Sequence, residues 1–144
     1  MSTRGLWGFI HQGEYTANYN HSDSYPDGLG LEFWSACKEE EFDDYSIEEE
    51  SIEFIKDSLF CEWAYFYDRD NKIFEIWKGY QKEPDLTNPF GQSTIFAGFY
   101  PCKRIFRGNI DYINREMFES DDFEKELIRL VRDTKIKTII DKNK

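Results

Sequence analysis

Apolar and polar positions divide the chain into short blocks. Leu6, Trp7, Phe9 and Ile10 fall in a strand-like run over 3–11, Gln12-Gly13-Glu14 interrupts it, and a second run covers 15–20. This predicts a β-hairpin with Gly13 at positive φ in the turn. Pro26-Asp27-Gly28 reads as a further turn, Pro fixing φ and Gly taking the left-handed position. Leu31, Phe33, Trp34 and Cys37 recur at helical offsets and predict a helix over 31–38. Ser46 and Glu49 have capping-box spacing. They predict a second helix over 47–59 that buries Ile52, Ile55 and Leu59.

The period then changes. Trp63, Ala64, Tyr65, Phe66 and Tyr67 are β-formers, 68–72 is polar, and 73–77 alternates apolar with acidic residues, so a second hairpin is expected. Residues 79–92 hold Pro84, Pro89 and Gly91 and read as a long loop. Strands are expected over 94–100 and 103–107, with Pro101 restricting pairing between them. A last helix is expected over 121–134, opening at Asp121 with Glu124 at capping-box spacing and burying Phe123, Leu127, Leu130 and Val131. Beyond it, Ile136, Ile139 and Ile140 extend the helix or add an edge strand. The order predicts an α+β fold in which an antiparallel sheet built from hairpins carries helices on its faces. Leu6, Phe9, Trp63, Tyr65, Phe74 and Ile76 are the expected core.

Length and composition narrow this picture. A chain of 144 residues is expected to form a single domain, 1–144, and its 18% aromatic content supplies a core despite 33% charged residues. Cys37, Cys61 and Cys102 are odd in number and form no C-x-x-C pair, which disfavours a disulfide framework or zinc ribbon and fits a reducing, cytoplasmic setting. No apolar run approaches a membrane span and no signal peptide opens the chain, so no membrane association is expected.

Charge changes the picture more. The formal net charge is −11. Between Glu32 and Glu62 stand twelve carboxylates against Lys38 and Lys56, a local balance of −10. Nine of these acids crowd into fifteen residues: Glu39, Glu40, Glu41, Asp43, Asp44, Glu48, Glu49, Glu50 and Glu53. Two readings stand. Such a run is a solvated helix face, or it imitates the phosphate spacing of nucleic acid and occupies a basic channel of a partner. Direct nucleic-acid binding is disfavoured by sign. Aromatic residues in excess of a core's needs offer interface anchors, the candidates being Trp34, Phe42, Tyr45, Tyr80 and Phe90.

The other candidate site lies near the start. His21 and Asp23 share a face if the strand continues, as a base oriented by a carboxylate would. The plainer reading makes Asp23 a turn cap and His21 a structural or exposed residue. Arg4 is expected to pair with Asp23 across the hairpin base. His11 and His21 belong at opposite ends of the hairpin, so His11, His21 and Asp23 are not expected to hold a metal. No cofactor is expected.

Three stretches carry a resemblance: Met1-Ser2-Thr3-Arg4-Gly5, the D-x-Y-P-x-G-x-G turn from Asp23 to Gly30, and the pair W-A-Y-x-x-D (Trp63 to Asp68) and F-E-I-W-K-G (Phe74 to Gly79). With Y-P-C-K at Tyr100 to Lys103, they resemble a family of small proteins of phages, prophages and bacteria. The resemblance implies a mobile-element context and brings no catalytic residues. The expectation is an acidic protein that binds and inhibits a host defence or nucleic-acid-handling protein through that protein's basic surface. A weaker resemblance is to N-terminal nucleophile hydrolases, which also open with a hairpin, pass through two helices and return to antiparallel strands. It implies an amide hydrolase, or a small-molecule-binding domain, with Ser2 or Thr3 as nucleophile among Arg4, Asn20, His21 and Asp23. This chain departs from that class in its shortness, in Met1 preceding Ser2 and Thr3, and in lacking a cysteine near its start.

Overall fold

The computed structural model describes residues 3–43, 45–86, 90 and 98–142, with side chains to residue 133. The fold is α+β. Its sheet has five strands: β1 (Gly5–His11), β2 (Glu14–Asn20), β3 (Trp63–Asp68), β4 (Ile73–Lys78) and β5 (Lys103–Asn109), in spatial order β2-β1-β3-β4-β5. Both expected hairpins form. The first turns on Gln12 and Gly13, at φ 51° and 82°, which is the twist a two-residue turn requires. In the second, the Asp68 carboxylate accepts from the backbone N–H and the side-chain amide of Asn71.

One pairing departs from the all-antiparallel expectation: β1 and β3 run parallel. The chain leaves β2 at the far edge, passes beneath the sheet through α1 (Leu31–Glu39), and returns beside β1 in the same direction. The sheet is therefore mixed, with three of four pairings antiparallel. Every residue of β3 is buried, as a central strand covered on both faces must be.

Two cores flank the sheet. One face packs Trp63, Tyr65, Phe74, Ile76 and Phe106 against α1, the short α2 (Arg115–Glu119) and α3 (Phe123–Lys142). Phe9 joins it half-buried, and the rest of the expected core set is buried as anticipated. The other face packs Leu6, Ile10, Ala17, Ala64, Phe66 and Trp77 under chain without an α-helix that brings Ile55, Cys61 and Cys102.

The expected helix over 47–59 does not form. Residues 45–50 are irregular, and only Ile52–Lys56 makes a short 3-10 turn. The outer edge of β2 explains this. Ser51 N–H donates to the Ala17 carbonyl, Ala17 N–H donates to the Glu50 carboxylate, and the Asn18 side-chain oxygen Oδ1 accepts from the N–H groups of Glu48 and Glu49. An open strand edge offered these groups partners, while a helix would have stacked like charges a turn apart. Ser46 consequently caps nothing; its carbonyl accepts from the Asn18 amide.

Smaller departures have local causes. The last helix starts at Phe123 and runs on to Lys142, so the first of the two expected continuations holds. α2 lacked an apolar stripe; Asn114 caps it, its side chain accepting from Met117 N–H at 3.0 Å. Residues 94–97 of the expected strand 94–100 lie outside the described residues; of the rest, Tyr100 makes an isolated bridge to Gln81. Ser2 and Asp44 also lie outside them.

Candidate functional site

The turn after β2 gathers the residues expected near the chain start. Asp23, not Gly28, takes the left-handed conformation, at φ 56°. Gly28 is needed for closeness: a Cβ there would lie 2.5 Å from the Asp23 carbonyl oxygen. Pro26–Gly30 winds into one wide turn that feeds α1 directly. Ser24 is fully buried. Its N–H donates to the Thr3 carbonyl, its carbonyl accepts from the buried Tyr65 hydroxyl at 2.9 Å, and its hydroxyl accepts from the Asn20 amide at 2.8 Å. Burial pushes the Tyr65 hydroxyl well above the ordinary tyrosine range, so it stays a donor. A Cβ on Gly5 would lie 2.3 Å from the Trp63 carbonyl oxygen and 2.8 Å from Ser24 Cβ. Backbone, hydroxyl and amide groups of this turn are thus paired with one another.

The His21–Asp23 dyad, the less plain of the two readings, is not assembled, and neither is the expected Arg4–Asp23 ion pair. His21 Nδ1 pairs with the Tyr19 hydroxyl at 2.9 Å. Arg4 is absent from the ion pairs among the described residues, and its guanidinium lies 5.5 Å from the Phe60 ring centroid. Strand alternation is the cause. Gly5 faces Ser24, so its neighbour Arg4 points to the opposite sheet face, with Leu6. Thr3 is buried at 2% exposure. A groove of about 820 Å³ beside the turn is lined by Asn20, Asp23, Asp27, Glu32 and Arg115 among others, but not by Thr3, Arg4 or His21. His11 lies at the opposite hairpin end, 3.2 Å from the Asp70 carboxylate. Among the described residues no three His, Cys, Asp or Glu side chains gather as metal ligands would.

A second polar cluster was hidden in the sequence. Glu75, the acid within the run 73–77, is 2% exposed, because both faces of the sheet are covered. The Tyr15 hydroxyl donates to its carboxylate at 2.7 and 2.9 Å, and the Trp77 indole N–H donates at 3.0 Å. Arg104 and Arg107 of β5 stand 3.6 and 3.5 Å away. Burial, then the neighbouring carboxylate, pushes the Tyr15 hydroxyl up. Every part of this carboxylate is engaged, so it holds β2, β4 and β5 together and is no free base. No signal in the sequence marked it except the two arginines in the next strand, β5.

The acidic segment behaves in the opposite way. Glu39, Glu40, Glu41, Asp43, Glu48, Glu49, Glu50 and Glu53 are all exposed. Among the described residues none of them is in an ion pair, while nearby Lys38 pairs with Asp111. Glu39 to Glu41 end α1, with Glu40 in the left-handed conformation at φ 55°. Carboxylates at a helix C-terminus oppose the helix dipole, and three in a row oppose one another. With Glu32 and Asp43 they line a depression of about 520 Å³. Glu50 stands apart from the set, because its carboxylate accepts from Ala17 N–H at 3.1 Å and from Ile52 N–H at 2.7 Å.

The expected aromatic anchors are mostly inward. Trp34 is 8% exposed and its indole donates to the Ile110 carbonyl. Phe42 and Tyr45 pack half-buried on the helical core, Phe42 beneath the Arg69 guanidinium at 4.2 Å. Among the described residues, the large apolar side chains left exposed are Tyr25, Leu86, Phe99, Tyr112 and Ile128. No family model, curated protein or solved structure matches this chain. No helix among the described residues is long and apolar enough to cross a membrane.

Proposed function

We propose that this chain is a binding protein whose acidic surface, Glu32 to Glu53, docks on a basic surface of a host protein and competes there with nucleic acid. The observation that carries this is the arrangement of the carboxylates at the end of α1 and in the segment after it. They are exposed, outside the ion pairs of the described residues, and placed where the helix dipole and mutual repulsion disfavour them. A surface made for solubility alone spreads its charge, whereas this one concentrates it. Opposed potentials speed association and make it depend on salt. The resemblance to phage and prophage proteins is what points to a host defence or nucleic-acid-handling partner. For the hydrolase alternative, the burial of Thr3 and its absence from the groove lining give no observation in favour.

The test is capture from bacterial lysate on the immobilised protein, followed by competition with duplex and single-stranded DNA. In a variant with Glu39, Glu40, Glu41, Asp43, Glu48, Glu49 and Glu53 all changed to Gln, captured protein should fall at least tenfold and its salt dependence should flatten. Glu50 is kept, since it anchors the segment to β2. Equal capture by this variant, with an unchanged circular dichroism spectrum, overturns the proposal.

A further inference from the structure

Cys61 and Cys102 are distant in sequence and adjacent in space. Cys61 lies just before β3 and Cys102 just before β5, at the end of the sheet where β4 finishes. Both are fully buried, and their sulfur atoms are 3.1 Å apart. The Cys102 thiol also approaches the Cys61 carbonyl at 3.4 Å, and the Cys61 thiol approaches the Trp63 carbonyl at 3.6 Å. A disulfide is about 2.04 Å long, so a closing movement of about 1 Å makes the bond. Cys37 belongs to the helical core on the other face, with the sheet between it and this pair.

The pair stands at the base of the 79–101 segment. Gly79 N–H donates to the Glu62 carbonyl at 2.7 Å, and Gln81 and Tyr100 exchange backbone hydrogen bonds of 3.1 and 2.8 Å. From within that segment Phe90 reaches back to Tyr15 and Trp77, with ring centroids 5.1 and 5.8 Å away, beside the buried Glu75 carboxylate. A bond between the two cysteines therefore ties the chain before β5 to the chain before β3, beside the Gly79 and Gln81–Tyr100 hydrogen bonds.

We propose that Cys61 and Cys102 form a reversible disulfide under peroxide, a modification that locks the base of the 79–101 segment. The oxidant class is a small peroxide, hydrogen peroxide being the simplest. One thiolate attacks a peroxide oxygen; the O–O bond breaks, a sulfenic acid forms, and hydroxide leaves as water after taking a proton. The second thiol attacks the sulfenic sulfur; the S–S bond forms, the S–O bond breaks, and a second water departs with the thiol proton. Two electrons pass from the sulfurs to the peroxide, and a dithiol reductant reverses the change. Burial and the neighbouring thiol push the Cys61 thiol up, so thiolate is scarce at neutral pH and the reaction accelerates with alkalinity.

The full chain, folded and freshly reduced, is treated with hydrogen peroxide, then denatured, alkylated and peptide-mapped. The expected product has lost two hydrogen atoms, is alkylated at Cys37 alone, and yields one cross-linked peptide joining Cys61 to Cys102. Tm should rise by roughly 5–10 °C, because the bond closes a loop of about forty residues in the unfolded chain, and dithiothreitol should return it. Cys37→Ser should keep both effects, and Cys61→Ser or Cys102→Ser should lose both. If the latter two fail to fold, the peptide map of the unaltered chain decides. Three alkylatable thiols after treatment, a cross-link to Cys37, or a bond between two chains each overturns the proposal.

Discussion

The turn at 20–30 and the acidic segment at 39–53 are both polar, both irregular, and both lie between the first hairpin and β3. They spend their polar groups in opposite directions. In the turn, the side-chain amide of Asn20, both backbone groups and the hydroxyl of Ser24, and the carbonyl of Asp23 all bond within the fold, and a tyrosine from the central strand closes the set. In the acidic segment the carboxylates face water, and backbone groups do the anchoring, Glu50 excepted. Polar residues crowded at a strand end are thus weak evidence of chemistry when their donors and acceptors are already matched. Exposed like charges held close together have no such internal account, and the proposed partner is offered as the external one.

The largest expected effect tests how tightly the turn is built. Gly5→Ala places a methyl group 2.3 Å from the Trp63 carbonyl, between two central strands that cannot separate without losing their ladder. Loss of about 3 kcal/mol is expected, measured by urea denaturation. A loss well under 1 kcal/mol would mean that the turn yields, and the contrast with the acidic segment would weaken.

Tyr65→Phe comes next. It leaves the buried Ser24 carbonyl without its donor, which should cost about 1–2 kcal/mol at neutral pH. It also has a pH signature. The folded protein holds the Tyr65 proton well above the ordinary range, whereas the unfolded chain releases it near pH 10. The folded state then binds the extra proton, so this stability is complete below about pH 10 and declines as pH rises past it, by up to about 1.4 kcal/mol per unit for each such tyrosine. Tyr65→Phe should make the decline shallower. An unchanged alkaline slope would show that the hydroxyl ionises freely in the folded state.

Glu50→Ala follows. It removes the acceptor for the N–H groups of Ala17 and Ile52 and should cost about 1 kcal/mol, with hydrogen exchange at Ala17 accelerated. If exchange at Ala17 is unaffected, the segment is not fastened to β2 through this residue.

Much of the fold was legible. Two-residue periodicity and the Gln12-Gly13 turn specified the first hairpin, the Asp68 turn specified the second, and apolar stripes specified α1 and α3. What failed depended on distant neighbours. A capping box at Ser46 is a local signal, and it lost to an open strand edge that only the folded sheet presents. Glu75 was the one charged residue in an apolar run, and periodicity says which face a residue takes and not whether that face is covered. The parallel pairing of β1 with β3 follows from the route of the intervening chain, which no window of sequence contains. At the candidate sites, exposure of the acids followed from their density, while the inward commitment of Ser24 and Asn20 did not.

The smallest expected effect sharpens the contrast from the other side. Glu48→Gln and Glu49→Gln alter side chains that are exposed, outside the ion pairs of the described residues, and not used as hydrogen-bond acceptors among them. The backbone N–H groups that Asn18 holds at these positions are untouched by the change. The urea midpoint should therefore stay where it is at 0.15 M salt. At low salt it should rise slightly, since removing one of several like charges relieves repulsion that salt otherwise screens. A fall in the midpoint at either ionic strength would mean that these carboxylates are used inside the fold, as Glu50 is, and would place the segment with the turn as structure and not as binding surface.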